Sequence, residues 1–161
     1  MKILDSALLT NLSRQATESR RLRQNFNLHD SLEEPCQRLL IAIEPGSYIR
    51  PHRHLKDPKP ECLIGLRGRM ALVTFGESGD VEGVQGIGSA DEVLGADIPV
   101  GVWHTLVCLQ SGSVFFETKP GPYRPNAEED MAPWAPEEGS PEAVSYLQGL
   151  TDKVQQGKLP L

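Results

Sequence analysis

Glycine and proline recur so often through the middle of this chain that they divide it into short segments. The 161 residues include fifteen glycines and thirteen prolines, and clusters of these residues mark turns. The segments between the turns are of strand length, about four to eight residues, and carry the alternating or continuous apolar patterns of strands. The sequence therefore predicts a fold built mainly from short β-strands.

The individual strands are predicted from period-two alternation and from apolar runs that end at turns. The first spans about 21–28, with Leu22, Phe26 and Leu28 on one face and polar residues on the other. Further strands are predicted at roughly 37–43, 47–54, 61–67, 69–75, 104–109 and 113–119. Such a series of short strands favours a closed or double-sheet β-barrel.

Both ends of the chain are predicted to be helical. Residues 2–18 have near-helical apolar spacing, and Ser140 followed by Pro141 is a typical helix start. We expect one domain in three parts: an N-terminal helix (1–20), a β-barrel (21–123), and a proline-rich segment with a C-terminal helix packed on the barrel (124–161).

Charge and cysteine content restrict the partners and the compartment. A formal net charge of −6 argues against a general nucleic-acid or anionic-membrane binder. No segment has the length of a membrane span, and the first twenty residues lack the apolar run of a signal peptide. The three cysteines have no paired spacing and fit a reducing compartment. We expect a cytoplasmic protein that binds neither nucleic acid nor membrane.

Four potential metal ligands lie in two segments that are distant in sequence. His52 and His54 alternate within the predicted strand 47–54, so they project from one face. Glu61 opens the next strand, and His104 follows a proline–glycine turn. Imidazole nitrogens and carboxylate oxygens are ligands that Zn, Fe, Mn and Ni accept, and the set uses three of the four histidines. We predict that these residues bind one divalent metal ion per chain and leave a position for water or substrate.

Residues that share a strand face with the ligands are candidates to contact a substrate. Tyr48 and Arg50 have the same parity as both histidines, so we expect them to face the same cavity. Tyr48 is a candidate to move a proton, and Arg50 to hold a carboxylate or phosphate through paired hydrogen bonds. A structural ion pair between Arg50 and an acid such as Glu117 is an equally favoured alternative.

The first and last strands supply a second group of candidates. Arg23, Asn25 and His29 belong to a polar face that lines the barrel mouth or, equally, lies exposed at a sheet edge. His29 is the second candidate to transfer a proton, whereas Arg23 and Asn25 are candidates to bind a substrate. Lys119 and Tyr123, near the end of the last strand, complete the candidate substrate-binding residues.

The two ligand segments resemble the paired motifs of the cupin superfamily. The first motif consists of a glycine, a His-x-His pair, a glutamate and a second glycine, here Gly46, His52, His54, Glu61 and Gly68. The second is represented by Pro99, Gly101 and His104. Three departures are a longer loop between His54 and Glu61, Cys108 where the family pattern has asparagine, and a gap between Gly95 and Pro99 that is shorter than usual. The resemblance implies a double-stranded β-helix, or jelly-roll barrel, with the metal inside.

Other segments resemble the WbuC-type cupin-fold metalloproteins, small bacterial proteins often associated with surface-polysaccharide (O-antigen) gene clusters. They are Tyr48–His54, Trp103–Thr105, Phe116–Tyr123 and Ala132–Glu137. The resemblance spans roughly residues 20–138. It implies a small-molecule ligand, such as a sugar or sugar nucleotide, and a homodimer, but it does not supply a reaction.

The predicted function is that of a metal-dependent enzyme acting on a small polar or anionic metabolite. The metal would orient the substrate as a Lewis acid, and isomerisation or epimerisation fits these residues. An Fe(II)-dependent oxygenase is an alternative that oxygen consumption by the iron-loaded protein would reveal. A non-catalytic small-molecule-binding protein or a structural metalloprotein is a further alternative. A structural metal site predicts that chelation unfolds the chain.

Overall fold

The computed structural model describes residues 1–156, and this part of the chain contains two α-helices, one short 3₁₀-helix (Glu128–Asp130) and eight strands. The α-helices are α1 (Ser6–Glu18) and α2 (Pro141–Gln155). The strands are β1 (Arg23–Asn27), β2 (Cys36–Ile43), β3 (Glu61–Arg67), β4 (Arg69–Phe75), β5 (Val81–Gly88), β6 (Gly95–Ile98), β7 (Trp103–Cys108) and β8 (Ser113–Pro120). Each α-helix begins at a capping side chain: Asp5 accepts from the Leu8 amide, and Ser140 from the Ala143 amide.

The strands form two facing antiparallel sheets. The larger sheet has the order β1-β2-β8-β3-β6, and the smaller has the order β5-β4-β7. Alternation along each strand sends one set of apolar side chains between the sheets. That inner core comprises Ile43, Leu63, Met70, Leu72, Ile87, Ile98, Leu106, Cys108 and Phe115. The fold is a jelly-roll barrel with a helix at each end, and the predicted mainly-β class is confirmed.

The two α-helices cover the outer faces of the barrel. Leu12 and Ala16 of α1 pack against Leu40, Ala42 and Val114 of the larger sheet. On the opposite side, α2 packs against the outward residues of the smaller sheet; Val73, Phe75, Val107, Leu147 and Leu150 belong to this cluster. Since each outer face is partly apolar, the helices bury surface that would otherwise meet water.

One predicted strand is wrong. Residues 47–54 are irregular, and His52 alone makes isolated bridges, to His104 and to Met131. Pro51 has no amide hydrogen to donate. The neighbouring amides bond to two different segments: that of His52 donates to His104 and that of Arg53 to Asp130. The segment therefore crosses between β7 and the C-terminal part without joining a sheet.

The remaining boundaries agree with the predicted strands to within a few residues, and β5 and β6 occupy the glycine-interrupted stretch 80–98. The division of the chain at residues 20 and 123 stays a prediction, and 157–161 of its third part lie outside the described residues. No described helix has the length and apolarity needed to cross a membrane.

We expect Gly95→Ala to lower the free energy of unfolding by about 1–3 kcal/mol, the usual cost of overpacking. A Cβ at this position would collide with the carbonyl oxygen of Leu63 on the neighbouring strand β3. Neither backbone can move without disturbing the ladder that also pairs Glu61 with Ile98. Urea unfolding followed by circular dichroism measures the difference.

Gly149→Ala is the matched control for this change. Gly149 lies within α2, and nothing lies within 4 Å of the position that its Cβ would take. Alanine there should stabilise the protein by up to about 1 kcal/mol, because it is the better helix former. Equal effects of the two substitutions would show that the contact between β3 and β6 is not tight.

Candidate metal centre

The four predicted metal ligands come together between the two sheets. Glu61 is the first residue of β3 in the larger sheet, and His104 is the second residue of β7 in the smaller one. His52 and His54 arrive from the irregular segment, which is held to β7 by reciprocal backbone hydrogen bonds of 3.0 and 2.9 Å between His52 and His104. One donor atom from each of the four residues lies within 4.8 Å of the others. A single ion is small enough to contact all four.

Backbone carbonyls fix the orientation of two imidazole rings. Nδ1 of His52 lies 3.0 Å from the carbonyl oxygen of Arg50, and Nδ1 of His104 lies 2.9 Å from that of Val102. A carbonyl oxygen only accepts, so Nδ1 carries the hydrogen in both neutral rings. Each Nε2 then offers a lone pair, as a metal-ligating histidine requires.

The contacts of Glu61 fit a cation between the ligands. Nε2 of His104 lies 3.1 Å from its Oε2, so in the neutral ring two acceptor atoms face each other. Nε2 of His54 lies 2.9 Å from Oε1 without the alignment of a hydrogen bond, which leaves this buried nitrogen without a partner. A bound divalent ion would satisfy these atoms together, and the donor set of three imidazoles and one carboxylate fits Zn, Fe, Mn or Ni.

The electrostatics of the cluster favour the metal-binding protonation states of His52 and Glu61. Burial, together with the nearby charge of His104, lowers the pKa of His52 to about 3. Burial raises the pKa of Glu61, but hydrogen bonds from His104 and His54, when those rings carry a proton that faces it, and the positive charge of Lys119 hold the pKa well below its usual range. A neutral imidazole and an ionised carboxylate are the forms that bind a metal.

Lys119 joins Glu61 to a second buried acid. Its Nζ lies 2.6 Å from Oε1 of Glu61 and 2.9 Å from Oε1 of Glu117. Burial lowers the pKa of Lys119, but the two carboxylates raise it above its usual value, so the side chain stays charged. Burial raises the pKa of Glu117, and Lys119 only partly offsets this. The ligand carboxylate therefore has a neighbouring cation even without a metal.

Glu117 was not among the predicted site residues, although it faces the same cavity. The signal was present in the sequence, because Phe115, Glu117 and Lys119 alternate on one face of the predicted last strand. The side chain of Glu117 is 12% exposed. Its register opposite Leu39 on one side and Leu63 on the other places it in the middle of the larger sheet.

A cavity of about 420 Å³ opens next to the cluster, a volume within the range of small-molecule sites. Three of the four ligands line it: His52, Glu61 and His104. Five predicted site residues also line it: Arg23, Asn25, His29, Lys119 and Tyr123. Apolar side chains of both sheets form the rest of the wall, including Leu39, Ile41, Leu106 and Phe115.

Tyr48 and Arg50 do not face this cavity, and that part of the prediction is wrong. The Tyr48 hydroxyl donates to the carbonyl oxygen of Pro136 at 2.8 Å, and its ring packs edge-on against Tyr146. Arg50 donates to the carbonyl oxygen of Ala132 at 2.9 Å. Because residues 47–54 are not a regular strand, sharing parity with the histidines does not place these side chains on the same side.

Arg23 lines the cavity but directs its donors at protein acceptors. One nitrogen lies 2.8 Å from the carbonyl oxygen of Tyr48, and the other 2.7 Å from the Glu138 carboxylate. Burial lowers the pKa of Arg23, and Glu138 opposes this shift. Arg21 also pairs with Glu138, through two hydrogen bonds of 2.7 Å. These contacts tie the start of β1 to the segment before α2.

Solved structures show what this fold is similar to. A cupin 2 domain-containing protein from Halorhodospira halophila is 12% identical with a TM-score of 0.50, covering 86% of this chain and 83% of the other. KdgF from a Halomonas species is 15% identical with a TM-score of 0.49, covering 63% and 80%. A cupin 2 conserved barrel domain protein from Rhodopseudomonas palustris is 16% identical with a TM-score of 0.47, covering 67% and 69%. The predicted cupin fold is confirmed.

Sequence comparison gives one family. No curated protein matches the chain. The sequence model of DUF6016, described as a domain of unknown function, matches residues 4–86, a stretch that contains α1, the first strands and three of the four clustered ligands. This protein has the cupin fold, carries a side-chain cluster that can hold a divalent metal, and belongs to the DUF6016 family.

Proposed function

We propose that this protein is a metal-dependent cupin that acts on a small polar metabolite. The observation that carries the proposal is the position of the cluster: three imidazoles and a carboxylate converge at the wall of a cavity of about 420 Å³. Four protein ligands leave one or two positions for a further ligand on an ion with trigonal-bipyramidal or octahedral coordination, whereas a four-coordinate site would be closed. Such an ion supplies a Lewis acid that polarises a carbonyl or hydroxyl group.

Among the predicted proton-transferring residues, His29 is supported and Tyr48 is not. His29 lines the cavity and is 4% exposed, and its Nε2 is buried without a protein partner. An imidazole beside a bound ligand can accept or return a proton, as isomerisation or epimerisation requires. Lys119 and Tyr123 keep their proposed contacts with the substrate, whereas Arg50 lies outside the cavity.

The resemblance to WbuC-type cupins supports a finer proposal. The substrate is then a sugar or sugar nucleotide of surface-polysaccharide metabolism, and the protein is cytoplasmic. A homodimer is part of the same proposal. Exposed apolar side chains support a surface that binds the second copy of the chain. They are Ile64 and Leu66, on the outside of the larger sheet, and Leu94 beside it, which are 40%, 37% and 56% exposed.

Elemental analysis of protein purified without added metal tests the metal-dependent function. We expect about one divalent ion per chain, and loss of that ion on chelation without loss of the β-sheet circular dichroism signal. A metabolite screen by thermal shift, run with and without the ion, then tests whether ligands depend on it. Protein that takes up no divalent ion, or that unfolds when chelated, would contradict the proposal.

A further inference from the structure

The imidazole of His29, a residue that lines the cavity, has one nitrogen at hydrogen-bonding distance from the backbone and one buried nitrogen without a protein partner. Nδ1 lies 3.0 Å from both the amide nitrogen and the carbonyl oxygen of Arg38. Nε2 is buried, has no protein partner, and belongs to a side chain that lines the cavity. A buried polar atom that is left unpaired destabilises the folded chain. A ligand group that bonds to this nitrogen would remove that destabilisation.

His29 and the metal cluster occupy opposite sides of the inner face of the larger sheet. The Leu28 amide donates to Arg38 of β2, which keeps the end of β1 beside that strand. Gln37 of β2 pairs with Lys119 of β8, and Lys119 contacts Glu61 of β3. Three strand spacings of about 4.8 Å lie between His29 and Glu61, about 14 Å measured along the curved sheet. A ligand bound at both places is therefore elongated.

The cations around the cavity are already paired with protein carboxylates. Arg21 and Arg23 share Glu138, and Lys119 contacts both Glu61 and Glu117. Among the described residues, no lysine or arginine is left for a ligand on the side of His29, where the remaining polar groups are its imidazole, the amide side chain of Asn25 and the Tyr123 hydroxyl. A phosphate or carboxylate placed there would lose its hydration without gaining a free counter-charge.

Building on the proposed metal-dependent function, we propose that the cavity binds an elongated, hydroxyl-bearing ligand. One end of the ligand lies at the metal ligands, and its other end is uncharged and hydrogen-bonds to Nε2 of His29. A carboxylate is accommodated only at the metal end. The apolar wall, which includes Leu39, Ile41 and Phe115, fits the C–H faces of such a molecule. A short sugar or sugar acid has this distribution of polar edges and apolar faces.

The four histidines make the ligand position directly measurable. Three belong to the metal cluster, so the ring signals of His29 in ¹⁵N-histidine-labelled protein report on the other end of the cavity alone. Zn²⁺ should move the three ligand signals. D-ribose and D-ribonate, added to the zinc-loaded protein, should then move the His29 signal. D-ribose 5-phosphate, which places a charge at the far end, should bind at least about 10-fold more weakly, because that charge is desolvated without a partner.

Two substitutions of His29 test the hydrogen bond between its Nε2 and the ligand without removing the contact of residue 29 with Arg38. In His29→Asn the short amide keeps a polar atom near Arg38 but removes Nε2, so D-ribose should bind about 10-fold more weakly, as expected for one lost hydrogen bond. His29→Gln places an amide closer to the position of Nε2 and should recover part of the affinity. In both variants the signals of the three ligand histidines follow the titration.

The outcomes distinguish this inference from the proposed function. If Zn²⁺ leaves the three ligand signals unchanged, the metal-dependent function fails. If zinc binds but neither D-ribose nor D-ribonate moves the His29 signal, only the ligand assignment fails. Tighter binding of the 5-phosphate than of D-ribose, or equal affinity of His29→Asn and the unaltered chain for D-ribose, would likewise overturn the assignment.

Discussion

The His104→Ala variant should lose divalent metal binding by at least about 100-fold in affinity while the barrel stays folded. Removing an outer partner of a ligand costs about 10–100-fold in metal affinity, and His104 is a ligand itself in the proposed site. Its Nε2 lies 3.1 Å from Glu61, and its backbone bonds to His52 do not need the imidazole. Zinc titration against a competing chelator measures the loss, and circular dichroism checks the fold.

His29→Asn is the matched control for this loss. It changes the one histidine outside the cluster, which lines the same cavity at a distance from the ligands. Zinc affinity should stay within about threefold of the unaltered chain, since no ligand or ligand partner is removed. Unchanged zinc binding by His104→Ala would show that the ion is held somewhere else.

The parts of the fold that the sequence predicted are those in which a local pattern decides the structure. In β8 strict alternation sends Phe115, Glu117 and Lys119 inward and Val114 and Phe116 outward under α1, as period two requires. The helix ends are equally local, because Ser140 supplies its cap within three residues. Such elements need no knowledge of the rest of the chain.

The ligand segment 47–54 shows where local pattern fails. Alternation predicted a strand, yet its backbone partners are His104 and Asp130, far away in sequence. The metal ligands still converge, because the bridge between His52 and His104 brings the two motifs together. Tyr48 and Arg50 were misplaced because their surroundings are formed by the stretch 132–136 and α2.

Ion pairs were the least predictable part of the site. Arg23 was a candidate to bind substrate, but its guanidinium donates a hydrogen bond to Glu138, which lies 115 positions further along the chain. Similarly, nothing in the local sequence shows that Lys119 bridges Glu61 and Glu117. Side-chain pairs across strands depend on register, and register follows from the whole barrel.

Lys119→Met should lower the free energy of unfolding of the metal-free protein by about 3–5 kcal/mol, the usual cost of removing one partner of a buried ion pair. Methionine fills much of the same space, so the loss comes from Glu61 and Glu117, which no longer share a cation. Added Zn²⁺ should recover more stability in the variant than in the unaltered chain, because the ion supplies positive charge at Glu61. Urea unfolding with and without zinc gives both values. Lys56→Met, at a 60% exposed side chain, should change stability by at most about 0.5–1 kcal/mol.

The stability deficit of Lys119→Met should also depend on pH in one direction. Burial raises the pKa of Glu117 above 4.5 in the folded chain, and Lys119 opposes that shift. A group whose pKa is higher in the folded than in the unfolded chain contributes its full stabilisation at a pH below the unfolded pKa. That stabilisation is lost as the pH rises through the folded pKa. Removing Lys119 raises this pKa further, so the part of the deficit that comes from Glu117 should be absent below pH 4.5 and grow towards neutral pH, whereas the part that comes from Glu61, whose pKa lies well below its usual range, should persist. A deficit of the same size at every pH would mean that Glu117 and Lys119 do not interact electrostatically, and that the loss of stability comes from Glu61 and from packing.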